Sequence, residues 1–177
     1  LRPGGTIEPP SSYDGRVFFE GELGIVIGAE ATNVALADVD RFVFGYTCVN
    51  DVTALGLLTS DSSFAQWSRA KSLNTFGPFG PTVVTGLDPA TLTIRTVVDG
   101  RERQNYPVSD MIFSPAELVH RLSQDMNLYP GDVIACGTST GAMPMRLGNV
   151  VEVTIEGIGT LTNTDGERPA VNGTPDN

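Results

Sequence analysis

The run Arg16–Gly28, RVFFEGELGIVIG, places Val17, Phe19, Leu23, Ile25 and Ile27 on one parity. Strand side chains alternate between two faces, so this period of two predicts a strand with one face committed to a core. The opposite parity holds Phe18, Glu20, Glu22 and Val26. Further β-rich runs follow: FGYTCVND ending at Asp51, PTVVT, TLTIRTVV, VIACG and GNVVEVTIEGIGTL, bounded by Gly, Pro, Asn or Asp. Asp99-Gly100 after TLTIRTVV is a two-residue hairpin signal. Residues 34–44 read as a short helix, and 53–70 as a helical turn followed by a mobile loop. Ser114-Pro115-Ala116-Glu117 forms a capping box with Pro at the first helical position, and Leu118, Val119, Leu122 and Met126 follow at helical spacing. A helix over 115–125 is predicted. The fold class is therefore α+β, predominantly β, with few short helices.

The 177 residues suit one domain, taken as 1–177, with a lead-in loop over 1–15 and a flexible, polar tail over 164–177. The formal net charge of -10 repels phosphate backbones and anionic lipid, which excludes nucleic acid and membrane surfaces as expected partners. An anionic ligand would need a local basic group or a bound cation. No stretch reaches the roughly 18 apolar residues of a membrane span, and Leu1–Gly5 does not read as a secretory leader. Cys48 and Cys136 lie far apart in apolar runs, without metal-site or disulfide spacing, so a cytoplasmic location is expected.

Glu20 and Glu22, two apart on a strand, share a face inside an apolar run, where paired carboxylates need a cation or a proton. Taken alone, such a triplet is more often a solvated sheet face. Asp51 ends the second strand, where it could point into a crevice or form an Asx turn. Three carboxylates without His or Cys would suit Mg²⁺, Mn²⁺ or Ca²⁺ rather than zinc. Arg69 and Lys71 stand out in a chain of 11 basic residues, although spacing alone favours surface solvation. With a single His, His120, a Ser-His-Asp triad has little support.

The blocks FEGELGIVIG, FGYTCVNDVTA, QWSRAKSLNTFGPFGP, SDMIFSPAELV, PGDVIACGTSTG and GNVVEVTIEGIGTL together resemble the catalytic domain of the fumarylacetoacetate hydrolase family, in family order, from about Phe18 to Thr162. The resemblance implies a mixed β-roll or β-sandwich and a homodimer. It also implies metal-binding roles for Glu20, Glu22 and Asp51, an active-site role for Lys71 and a substrate-holding role for Thr138, with Arg69 as a further candidate substrate contact. Mg²⁺ is the expected cofactor, with Mn²⁺ or Ca²⁺ as alternatives. The implied activity is hydrolysis or decarboxylation at a carbon-carbon bond of a small anionic 2-oxo or β-diketo carboxylic acid. Isomerisation or hydration of the same substrates, or a metal-stabilised binding domain without turnover, are the alternatives. Two departures stand out. Leu55 and Gly56 follow Ala54 where many relatives carry Arg-Asp, so one basic substrate contact is missing. The upstream segment with a His and a Glu found in many relatives has no match before Tyr13, which leaves either a segment outside this sequence or chemistry other than hydrolysis.

Overall fold

The computed structural model describes residues 1–168. Two sheets stack face to face. The first contains β1 (Thr6–Ile7), β11 (Gly159–Asp165), β10 (Val150–Ile155), β7 (Thr93–Val98) and β8 (Arg101–Pro107), in that order. The second runs β6 (Phe79–Val84), β4 (Val43–Asn50), β3 (Gly21–Ile27), β9 (Val133–Ala135). A small pair joins β2 (Val17–Phe18) to β5 (Thr53–Ala54). Every pairing is antiparallel except β1 with β11.

The parity read from the sequence sets the packing. Leu23, Ile25 and Ile27 of β3 are buried with Ile94, Val153, Ile155 and Leu161 of the facing sheet in one continuous core. Burying such side chains is the main favourable term, about 1.5–3 kcal/mol each. The other parity of β3 is buried too, Glu22 included. That strand is interior to its sheet, between β4 and β9, so neither face behaves as the solvated side of a simple amphipathic strand.

Helix α3 spans Pro115–Asp125 with both capping-box bonds formed. It packs on the 3-10 turn Leu36–Arg41 of the 34–44 segment, and His120 Nδ1 lies 2.7 Å from the Val34 carbonyl. Two short helices, α1 (Leu55–Leu58) and α2 (Trp67–Lys71), bracket the Ser-rich stretch. No helix among the described residues is long and apolar enough to cross a membrane.

The chain's two flanks differ from the expectation. Thr6 and Ile7 of the lead-in pair in parallel with Thr164 and Asp165, and Ile7 is fully buried. The Tyr13 hydroxyl accepts from Gly56 N–H at 2.9 Å and donates to the Arg16 carbonyl at 3.0 Å. A two-residue strand is too short to show periodicity, so this segment read as loop. The tail expected from Thr164 begins instead after Asp165, and its part from 169 to 177 lies outside the described residues.

Candidate metal centre

Three backbone positions bring the carboxylates together. Glu20 sits in the step between β2 and β3, Glu22 is the second residue of β3, and Asp51 directly follows β4. The step is fixed by Asp51 N–H donating to the Glu20 carbonyl at 2.9 Å and by Glu20 N–H donating to Asn50 Oδ1 at 3.0 Å. One carboxylate oxygen from each of Glu20, Glu22 and Asp51 lies within 4.8 Å of the other two. The carboxylates of the triplet thus converge, and Asp51 joins them.

The three are not equivalent. Glu22 is 1 % exposed, whereas the Glu20 and Asp51 side chains keep 20 % of their surface. Burial, followed by the Asp51 charge, pushes the Glu22 carboxyl up to about 8, despite a 2.7 Å bond from Gly137 N–H to its Oε2. A cation here would offset the part of this rise that comes from the neighbouring carboxylates.

Lys71, at the last turn of α2, occupies the mouth of this cluster. Its ammonium donates to Glu20 Oε2 at 2.9 Å, to Asp51 Oδ2, and to Thr53 Oγ1 at 3.0 Å. All three donors are used. Burial works against its charge, but the bonds to Asp51 and Glu20 outweigh burial and hold the lysine above its ordinary range. Glu20 and Asp51 therefore already gather around a positive charge, which is the behaviour a cation-binding oxygen set requires. Thr53, 1 % exposed, went unread in the sequence; its only signal was its place two residues after Asp51.

Arg69 does not join the group. It lies two positions before Lys71, about 200° around a helix, and is exposed.

Thr138 does reach the site's edge. Its hydroxyl donates to the Gly21 carbonyl at 2.9 Å and accepts from Gln104 Nε2 at 2.7 Å. Tyr106 OH also donates to the Gly21 carbonyl, at 2.8 Å. Gln104 and Tyr106 were missed, although both occupy the parity of RERQNYP that faces inward from the Asp99-Gly100 hairpin. Beyond this loop, a cavity of about 530 Å³ is lined by Tyr106, Met111, Phe113, Gly137 and Thr138; no carboxylate of the cluster lines it.

A sequence model of the family described as fumarylacetoacetate (FAA) hydrolase C-terminal matches residues 1–164. The chain belongs to the fumarylacetoacetate hydrolase family. It is 45 % identical over 148 residues to the uncharacterised protein MJ1656 of Methanocaldococcus jannaschii, covering 84 % of this chain and 61 % of that protein. It is 41 % identical over 158 residues to the oxaloacetate tautomerase YisK of Bacillus subtilis, covering 84 % of this chain and 52 % of that protein. Among solved structures, a 5-carboxymethyl-2-hydroxymuconate delta-isomerase from Mycobacterium smegmatis superposes with a TM-score of 0.90 at 42 % identity, covering 95 % of this chain and 65 % of that one. The maleylpyruvate hydrolase of Sphingobium sp. SYK-6, solved with manganese(II) and pyruvate, gives a TM-score of 0.83 at 28 % identity, covering 95 % and 61 %. The chain spans about 52–61 % of the length of these two curated relatives.

Proposed function

We propose that this domain carries a divalent-metal-dependent activity on a small 2-oxo or β-diketo carboxylic acid, through a reaction in which negative charge develops on an oxygen next to the breaking or rearranging bond. The observation that carries this reading is the Lys71 ammonium held by Glu20, Asp51 and Thr53 beside three convergent carboxylates. Glu20, Glu22 and Asp51 would hold the ion. Mg²⁺ is the proposed ion, and Mn²⁺ the substitute suggested by the manganese-bound relative. Once bound, the metal supplies a Lewis acid that attracts an anionic substrate to a protein of net charge -10.

The chain's own groups divide the remaining work. Thr53 and the two carboxylates fix the direction of the Lys71 ammonium, so its charge meets a developing oxyanion without reorganising in the reaction. Thr138 holds the substrate side of the Gly137–Ser139 loop against β3. Arg69 is left as a contact available only to a substrate that extends out to the surface of α2.

Carbon-carbon hydrolysis, decarboxylation and isomerisation all fit this description. Relatives named as tautomerase and isomerase, at 41 % and 42 % identity, make isomerisation as well supported as bond cleavage. A cytoplasmic homodimer completes the proposal, on the family resemblance and the unpaired cysteines. The test is a panel of oxaloacetate, fumarylpyruvate and acylpyruvates with Mg²⁺, following keto-enol absorbance and pyruvate release separately. Enol loss without pyruvate indicates a tautomerase, pyruvate release a cleaving enzyme, and inactivity with every substrate contradicts the reading.

A further inference from the structure

Gly21, between the two glutamates, lies opposite Asn50 of β4 but has no partner from β9 on its other side. β9 pairs with β3 as far as Gly24 opposite Ala135, and Cys136 N–H still reaches the Leu23 carbonyl at 3.0 Å. At Gly137, with φ +95°, the chain turns away and sends its N–H to Glu22 instead. Gly21 is left without a ladder partner on that side, and side chains take the strand's place. Gln104 Oε1 accepts from Gly21 N–H at 3.1 Å, while Thr138 and Tyr106 donate to the Gly21 carbonyl.

Gln104 is the side chain that spans the wedge. It is 2 % exposed, and its amide nitrogen donates both to Thr138 Oγ1 at 2.7 Å and to the Ser139 carbonyl at 3.1 Å. One end grips the carboxylate strand and the other grips the loop, across 83 residues in one direction and 34 in the other. Close packing leaves no slack around it. A Cβ on Gly21 would lie 2.0 Å from Thr96 Oγ1, and one on Gly141, at the far end of the loop, 2.3 Å from the Arg103 carbonyl. The task demands an acceptor and two donors on one neutral side chain of this length, which an amide provides and a carboxylate does not.

We propose that Gln104 is a positioning residue that sets the distance between the metal-binding strand and the Gly137–Ser139 loop, and so governs substrate affinity through Thr138 without contacting metal or substrate. The proposal rests on the functional reading above, which gives Thr138 its substrate side. Metal affinity should change less, because Glu20 is tied to Asn50 and Asp51 by bonds outside the loop, and Gly137, the loop residue that bonds Glu22, follows Cys136, whose N–H is held by the Leu23 carbonyl of β3.

The test is calorimetry on the full chain with Mn²⁺, then with oxalate added to the Mn²⁺-loaded protein. Gln104→Met should keep Mn²⁺ affinity within about threefold and weaken oxalate about tenfold, the scale of one lost buried hydrogen bond. Gln104→Glu, which keeps the length and the acceptor but loses both donors, should give the same pattern and serves if the Met variant does not fold. Thr138→Val should weaken oxalate similarly and add little in the double variant, since the two act in series. Oxalate binding at the wild-type level in either folded Gln104 variant overturns the proposal, as does multiplication of the Gln104 and Thr138 effects. Wild-type protein that binds no Mn²⁺ overturns the metal reading itself, and the substrate role of the loop with it.

Discussion

Lys71 Nζ lies 2.9 Å from Glu20 Oε2, although 51 residues separate them and one belongs to a five-residue helix and the other to the step between two strands. The same ammonium reaches Asp51, so the cation that would stabilise an oxyanion is at the same time the counter-charge of the carboxylates. A divalent ion bound by these carboxylates would therefore compete with Lys71 for part of the same negative charge.

That competition fixes the behaviour of Lys71→Ala. Loss of the ammonium should tighten Mn²⁺ binding by about tenfold, because an unscreened positive neighbour has been removed. In an active assay, kcat should fall about 10² to 10³, with KM for a metal-chelating substrate little changed. Calorimetry and steady-state kinetics read the two separately. A variant with weakened metal binding would mean that Lys71 organises the carboxylates rather than opposing the metal.

Trp67, the chain's one tryptophan, is 57 % exposed on α2, four residues before Lys71, and Phe64 nearby is 69 % exposed. If residues 53–70 close over a bound anion, Trp67 emission should shift to the blue on adding oxalate with Mg²⁺. Amide exchange across the segment should slow in step. Unchanged emission and exchange would assign the segment a fixed role.

Gly21 can be tested by filling the space it leaves. Gly21→Ala should cost about 1 to 3 kcal/mol, because the new methyl collides with Thr96 Oγ1. Adding Thr96→Ala removes that atom, leaving contacts from 3.2 Å to Gln104 Oε1, and should restore part of the loss in denaturant melts. No rescue would locate the strain elsewhere on β3.

Asp165 predicts a pH effect. It is 6 % exposed, its Oδ1 has no hydrogen-bond partner among the described residues, and burial pushes its carboxyl up to about 6 against the pull of Arg168. A folded-state value above the unfolded one means that the native state binds the extra proton, so stability falls as pH rises from about 4 to 6 and levels off above. Relative to wild type, Asp165→Asn should be more stable at pH 7 by about 1 to 3 kcal/mol, with the difference vanishing near pH 4. Parallel curves for the two proteins would remove Asp165 from the account.

The parts of this molecule that local chemistry dictates could be read in advance. The capping box at Ser114 and Glu117 sets the start of α3, Asp99-Gly100 turns β7 into β8, and the parity of Val17 to Ile27 selects the core face of β3. The carboxylates were legible because Glu20 and Glu22 lie two apart in one alternating run and Asp51 ends the next; Lys71 stood out only as a scarce cation until the family resemblance placed it beside them. Contacts made by polar residues across the sandwich were not legible. Gln104 looks like any polar residue of an alternating strand until β9 leaves the ladder and a gap opens at Gly21. Thr53 gains its role only when Lys71 arrives from a helix too short to have a signature. Arg69, two positions before Lys71, lies on the other side of the short helix and is exposed, which spacing in the sequence alone does not reveal.

The central claim is that Glu20, Glu22 and Asp51 together hold one divalent cation, and titration calorimetry of Mg²⁺ and Mn²⁺ into wild type and Asp51→Ala tests it most directly. Wild type should bind one ion per chain and melt about 5–10 °C higher at saturating metal than in EDTA, while Asp51→Ala should lose both the stoichiometric binding and the shift. Equal affinity in the two proteins, or no binding and no shift in wild type, would contradict it.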